Sequence, residues 1–203
     1  MKQLHRDDLF GWSVFDTARN VDFNGVLWTG GPDGNVAIDP MPVSDHDAAH
    51  ISALGGVAHV LLTNADHTRA TAAFVQRWGA TVAAPRADQH LPEFADLPVD
   101  RWLADGDTHA GVVAIGLRGS KTPGELAFLI AGSTLVSGDL VRGQRAGRLN
   151  LLPDPKLADK AAAIASVAAL AALPGLDAVL VGDGQSIFRD GAARLRDLVE
   201  GAS

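Results

Sequence analysis

The sequence predicts an α/β fold, α+β in its mixture of elements, with sheets packed face to face and covered by helices. Three observations predict it. Strand-like apolar runs alternate with helical patterns through the first half, giving strand, helix, strand, helix, strand in order. The second half is β-rich with Gly-rich turns, then closes on a helix, a strand and a helix. Apolar residues make up 47% of the 203, enough to bury a sizeable core in one domain spanning 1–203.

Each element has a local reason. Trp12 to Phe15 and Gly25 to Thr29 are aromatic and β-branched, hence strands, and Gly30-Gly31-Pro32-Asp33-Gly34 turns the second into a third strand over Asn35 to Ile38. Ser44 reads as an N-cap, with Asp45 and Asp47 in the first turn of a helix to Leu54. Val60 to Leu62 is a short buried strand, Thr68 to Trp78 a helix stopped by Gly79, and Thr81 to Ala84 another strand. Arg101 to Leu103, Val112 to Leu117, Leu126 to Ile130 and Thr134 to Val136 follow as strands. Residues 142–155, with three arginines and two prolines, read as irregular. Asp159 to Leu173 is an Ala-rich helix, Ala178 to Val181 a buried strand, and about Asp190 to Glu200 a last helix.

Composition narrows the function classes. The net charge of −7 is mixed along the chain and no long basic run is present, which argues against nucleic acid as a partner. The absence of cysteine excludes disulfides, thiolate metal sites and a Cys nucleophile. Residues 1–10 lack the apolar core of a signal peptide, and no stretch is long and apolar enough for a membrane span. The expectation is a cytoplasmic protein acting on a small molecule, with no membrane or nucleic-acid partner, and with homo-oligomer formation open.

Chemistry concentrates beyond strand ends. Three short apolar strands run into Thr63-Asn64-Ala65-Asp66-His67, Ser137-Gly138-Asp139 and Gly182-Asp183-Gly184. If those strands are parallel neighbours, Asp66, Asp139 and Asp183 converge with His67 on one patch, where open α/β sheets bind ligands. Three carboxylates in one patch repel and need a cation. The loop Gly119-Ser120-Lys121-Thr122-Pro123-Gly124 supplies one in Lys121. Arg69, Arg142 and Arg145 lie just past these loops and suit an anionic substrate.

In type and order, Asp66-His67, Thr122-Pro123-Gly124, Gly138-Asp139 and the glycines Gly182 and Gly184 resemble the motif loops of the metallo-β-lactamase fold superfamily, over roughly residues 11–188. The resemblance implies a four-layer αββα sandwich. It also marks Asp39 as the strand-end aspartate that orients the site loops, and Asp66 as a metal ligand and proton shuttle. The departures are equally specific. Leu62 and Asn64 stand at the family's first two histidines, Lys121 at its loop histidine, and Asp183 at its last. One of the family's two metal sites is therefore lost, in a branch with a degenerate motif.

Two functions remain open on these residues. The first is a mononuclear metal-dependent hydrolase of an anionic ester, thioester or phosphoester. Its metal (Zn, Mn or Fe) would be held by Asp66, His67, Asp139 and Asp183, with Asp66 and Lys121 as catalytic groups and Arg69, Arg142 and Arg145 on the substrate. The second is a non-catalytic binding or structural homologue that holds no metal, in which Lys121 replaces the metal charge.

Overall fold

The computed structural model describes residues 1–202. Its first strands are β1 (Lys2–Gln3), β2 (Leu9–Asp16), β3 (Val21–Trp28) and β4 (Val36–Ile38), all paired antiparallel. Helix α1 (Asp45–Ala53) follows, opened by Ser44, whose hydroxyl accepts from the Asp47 N–H. Then come β5 (His59–Leu61), α2 (Thr71–Trp78), β6 (Thr81–Pro85) and β7 (Arg101–Leu103); β4 through β7 run parallel and complete a seven-stranded sheet. Helix α2 starts three residues later than the sequence predicts, because Ala65–His67 forms a separate 3₁₀ turn capped by Asn64. It stops where predicted, at Gly79, whose φ of 68° is the left-handed conformation that favours glycine.

The second sheet is built from β8 (Thr108–His109), β9 (Val112–Gly116), β10 (Leu126–Ile130) and β11 (Thr134–Ser137), joined by the later β14 (Ala178–Val181) in the order β14-β11-β10-β9-β8. The segment expected to be irregular is instead a hairpin, β12 (Val141–Arg145) with β13 (Arg148–Leu151), forming a small sheet of its own. Its exposed, charged outer half carries no apolar alternation, which hid it from pattern reading. Helix α3 (Lys160–Ala171), capped by Asp159, leads to β14 (Ala178–Val181) and α4 (Gly191–Ala202).

Strand alternation sorts the apolar side chains into three layers of packing. From β4, β5 and β10, Val36, Ile38, Leu61, Leu126, Phe128 and Ile130 point between the two large sheets. Ala37, Val60 and Leu62 point outward, where Ile51 of α1 and Phe74 of α2 cover them. On the other outer face Ala127, Leu135 and Val179 meet Ala163 and Val167 of α3 and Leu195 of α4. Helices, sheet, sheet, helices is the predicted four-layer αββα sandwich. Among the described residues no helix is long and apolar enough to cross a membrane.

Candidate functional site

The three predicted carboxylate loops meet, though not as three neighbouring strands. Strands β11 and β14 are parallel partners, but β5 belongs to the facing sheet. Asp139 and Asp183 therefore come from one sheet and Asp66-His67 from the other, across one end of the sandwich. Close approach demands glycine at two of these turns. A Cβ on Gly138 would lie 2.4 Å from Thr63 Oγ1, and one on Gly182 would lie 2.9 Å from His67 Cε1.

Asp39 fixes the base of the site. It follows β4 with φ +47°, a left-handed conformation that costs a non-glycine residue on the order of 1–3 kcal/mol. So placed, it accepts from the Thr63 N–H at 2.9 Å, the Thr63 hydroxyl at 2.6 Å and His67 Nδ1 at 2.7 Å. Burial opposes charge on both partners. It is outweighed by their mutual attraction, so Asp39 ionises below its usual range and His67 is raised to about 9. His67 Nε2 lies 3.1 Å from Arg69 Nη2 and 3.7 Å from Asp139 Oδ1.

Above this base the acids are matched by cations. Lys121 Nζ sits between Asp66 Oδ2 and Asp139 Oδ2, the latter at 2.5 Å. Arg142, reaching in from β12, donates to Asp139 Oδ1 and to the Asp139 carbonyl at 3.1 Å, and its Nη1 lies 3.1 Å from Asp183 Oδ2. Arg69 Nη2 faces Asp183 Oδ1 at 3.6 Å. Although burial favours its neutral form, Asp139 is held well below the carboxylate range by His67, Lys121 and Arg142. Burial likewise disfavours the Lys121 ammonium, but Asp139 and Asp66 raise its pKa, so it stays charged.

A second polar group lies behind Lys121, and sequence reasoning missed it. Glu125 is buried; its Oε2 accepts from Asn64 Nδ2 at 3.0 Å and Ser120 Oγ at 3.2 Å, and its Oε1 from the Leu140 N–H at 3.1 Å. Asn64 and Lys121, both at positions where the resemblance expects histidine, thus serve neutral hydrogen bonding and charge pairing. Burial first, then the Asp139 charge, pushes Glu125 up to about 8, so it keeps its proton at neutral pH. The available signal was an acid opening an otherwise apolar strand. The Asp66 carboxylate pairs with Lys121, and its backbone N–H donates to Asn64 Oδ1. Arg145 is exposed at the hairpin tip and does not line the cavity over the cluster, whereas Arg69 and Arg142 do.

His67, Asp139 and Asp183 each place one ligand atom within 4.8 Å of the others, so a three-residue candidate metal site is present, with Asp66 outside it. Its donors are already engaged. Two of its buried oxygens, Asp139 Oδ2 and Asp183 Oδ1, are paired with the Lys121 ammonium and, at 3.6 Å, with the Arg69 guanidinium. His67, raised to about 9, carries a proton on Nε2 at neutral pH and has no lone pair there for a metal. The residues fit cations carried by the chain and do not fit the metal pair that the family's usual motif holds.

Two facing mixed sheets under helices, with loops of both sheets meeting at one end, are the architecture of the metallo-β-lactamase fold. The model of the family described as "Metallo-beta-lactamase superfamily" matches residues 1–202, and the chain belongs to that superfamily. Among solved structures it is similar to TTHA1623 in a di-iron-bound form, at 29% identity and TM-score 0.69, covering 91% of this chain and 98% of that one. A metallo-β-lactamase from Pontibacter korlensis aligns at 18% identity and TM-score 0.75 over 96% of each chain. The DIM-1 metallo-β-lactamase aligns at 16% and 0.74, over 98% of this chain and 95% of that one. No curated protein matches the sequence.

Proposed function

We propose that this chain is a metal-independent binding member of its superfamily, taking a small molecule in the cavity above the cluster. The observation that carries the reading is the Lys121 ammonium between Asp66 and Asp139. Arg142 and Arg69 complete the neutralisation at Asp183. A hydrolase of this fold needs an activated water, and a Lys121 held charged offers no base to make one.

A second reading is favoured by a different observation. The 29%-identical neighbour is described as di-iron-bound, and His67, Asp139 and Asp183 are within reach of one ion. In that reading the chain is a mononuclear metal-dependent hydrolase, and Arg142 must swing away for a metal to enter.

Metal analysis separates the two. Protein purified without chelator should carry well under one Zn, Mn or Fe per chain, and its melting temperature should not rise when these ions are added, because an ion bound only by the folded state must stabilise it. Stoichiometric metal that disappears in Asp183→Ala would sink the metal-independent reading.

A further inference from the structure

The cavity over the cluster has a volume of about 420 Å³ and a charge imbalance. Five cationic side chains line it, Arg19, Arg69, Lys121, Arg142 and Lys156, against the carboxylates of Asp66, Asp139 and Asp183. The charge of His67 is met by Asp39 below. Two positive charges are left over.

The surplus can be located. Arg69 and Arg142 commit their N–H groups to neighbouring carbonyls and the buried carboxylates. Lys121 has three N–H groups and two carboxylate partners. The Lys156 ammonium pairs with no carboxylate among the described residues. Arg19 stands 3.9 Å from Asp16 in a loose, exposed pair worth little in water. These three side chains come from separate segments: the β2–β3 turn, the Gly119–Gly124 loop and the turn at Asp154–Lys156. Beside them the wall is apolar. Phe23 has the Arg19 and Arg69 guanidinium groups each 5.5 Å from its ring centroid, and Val21 and Met41 line the cavity with it.

We propose that the cavity binds a small phosphomonoester, with the phosphate on Lys121, Lys156 and Arg19 and an apolar or aromatic alcohol portion against Phe23 and Met41. A dianion cancels a surplus of two charges, where a carboxylate would leave one. Lysines bind phosphate as point charges and arginine adds directed N–H groups. The volume lies within the range of small-molecule sites, roughly 300–1,000 Å³. This inference names the ligand of the metal-independent reading and rests on it.

Calorimetric titration of the intact protein with phenyl phosphate, inorganic phosphate and phenol tests it, each in EDTA and again with Zn²⁺ or Fe²⁺. Phenyl phosphate should bind one per chain in EDTA, more tightly than either fragment. Lys156→Glu and Arg19→Glu, both exposed and expected to fold, should weaken it on the order of tenfold or more. Arg145→Glu makes the same charge change outside the cavity and should leave affinity within about twofold. No saturable binding in either condition, in protein that also takes up no metal, overturns the ligand and leaves the metal-independent reading standing. Binding that appears only with added metal overturns both. Binding unchanged by Lys156→Glu and Arg19→Glu places the ligand elsewhere and overturns the site.

Discussion

Glu125 and His67 make stability depend on pH with the same sign. Glu125 moves from 4.5 to about 8 on folding, and His67 from 6.5 to about 9. Both are raised, so the native state holds protons that the unfolded chain releases. Their contributions are complete below the unfolded values and are lost as pH rises through the folded ones. Urea midpoints should therefore fall between about pH 5 and pH 9. Glu125→Gln keeps the shape and removes one titration. The fall below the His67 range, from pH 5 to 6.5, should flatten in that variant, and an unaltered slope would show that Glu125 does not carry it. Arg142 makes a sharper case, because its guanidinium is, among the described residues, the one cation paired with both Asp139 and Asp183. Arg142→Ala leaves two buried carboxylates short of a partner and should cost about 3–5 kcal/mol by denaturant unfolding. Asp66, Asp139 and Asp183 were legible because each lies just past a strand end, whereas Glu125 comes just before a strand and was not. The partner of Asp139 and Asp183 was not, since Arg142 reaches them only from a hairpin that the sequence pattern hides.

Elements differ in how openly the chain announces them. Arg101–Leu103, Leu126–Ile130 and Ala178–Val181 coincide with the predicted strands because each is a short run bounded by turn residues. β1 and β8 have two residues each, too few for a period to register. The hairpin of β12 and β13 carries a visible flaw: Arg145 pairs directly with Arg148 across it, both exposed. Like charges in that position destabilise, so Arg148→Glu should raise stability by about 0.2–1 kcal/mol in thermal or urea melts. The loop after β14 is less forgiving. Gly182→Ala drives a methyl group against His67, and overpacking of this kind costs about 1–3 kcal/mol. A shift of the His67 ring resonances in that variant would report the displacement directly.

The whole molecule is a sandwich whose middle is an apolar interface between two mixed sheets. Phe128 is fully buried there, and Phe128→Ala should cost about 3–5 kcal/mol, read as a lower urea midpoint with an unchanged slope. The sheets contribute different loops to one rim, β4 and β5 from one side, β11 and β14 from the other. Anything that slides one sheet over the other separates Asp39 and His67 from Asp139 and Asp183. That dependence explains why a fold legible from strand order does not make its site equally legible. The order of loops is written along the chain, while their meeting is a property of two sheets packed together.

Lys121 and Arg142 also set a boundary on how the surroundings can act on this protein. An ion taken from solution stabilises a fold in proportion to the logarithm of its own concentration, so a chelator or a metal-poor medium loosens the protein. An ammonium and a guanidinium fixed to the backbone arrive by intramolecular closure, at a local concentration that no medium dilutes. Their hold on Asp66, Asp139 and Asp183 is inherited with the chain at synthesis and needs no loading step.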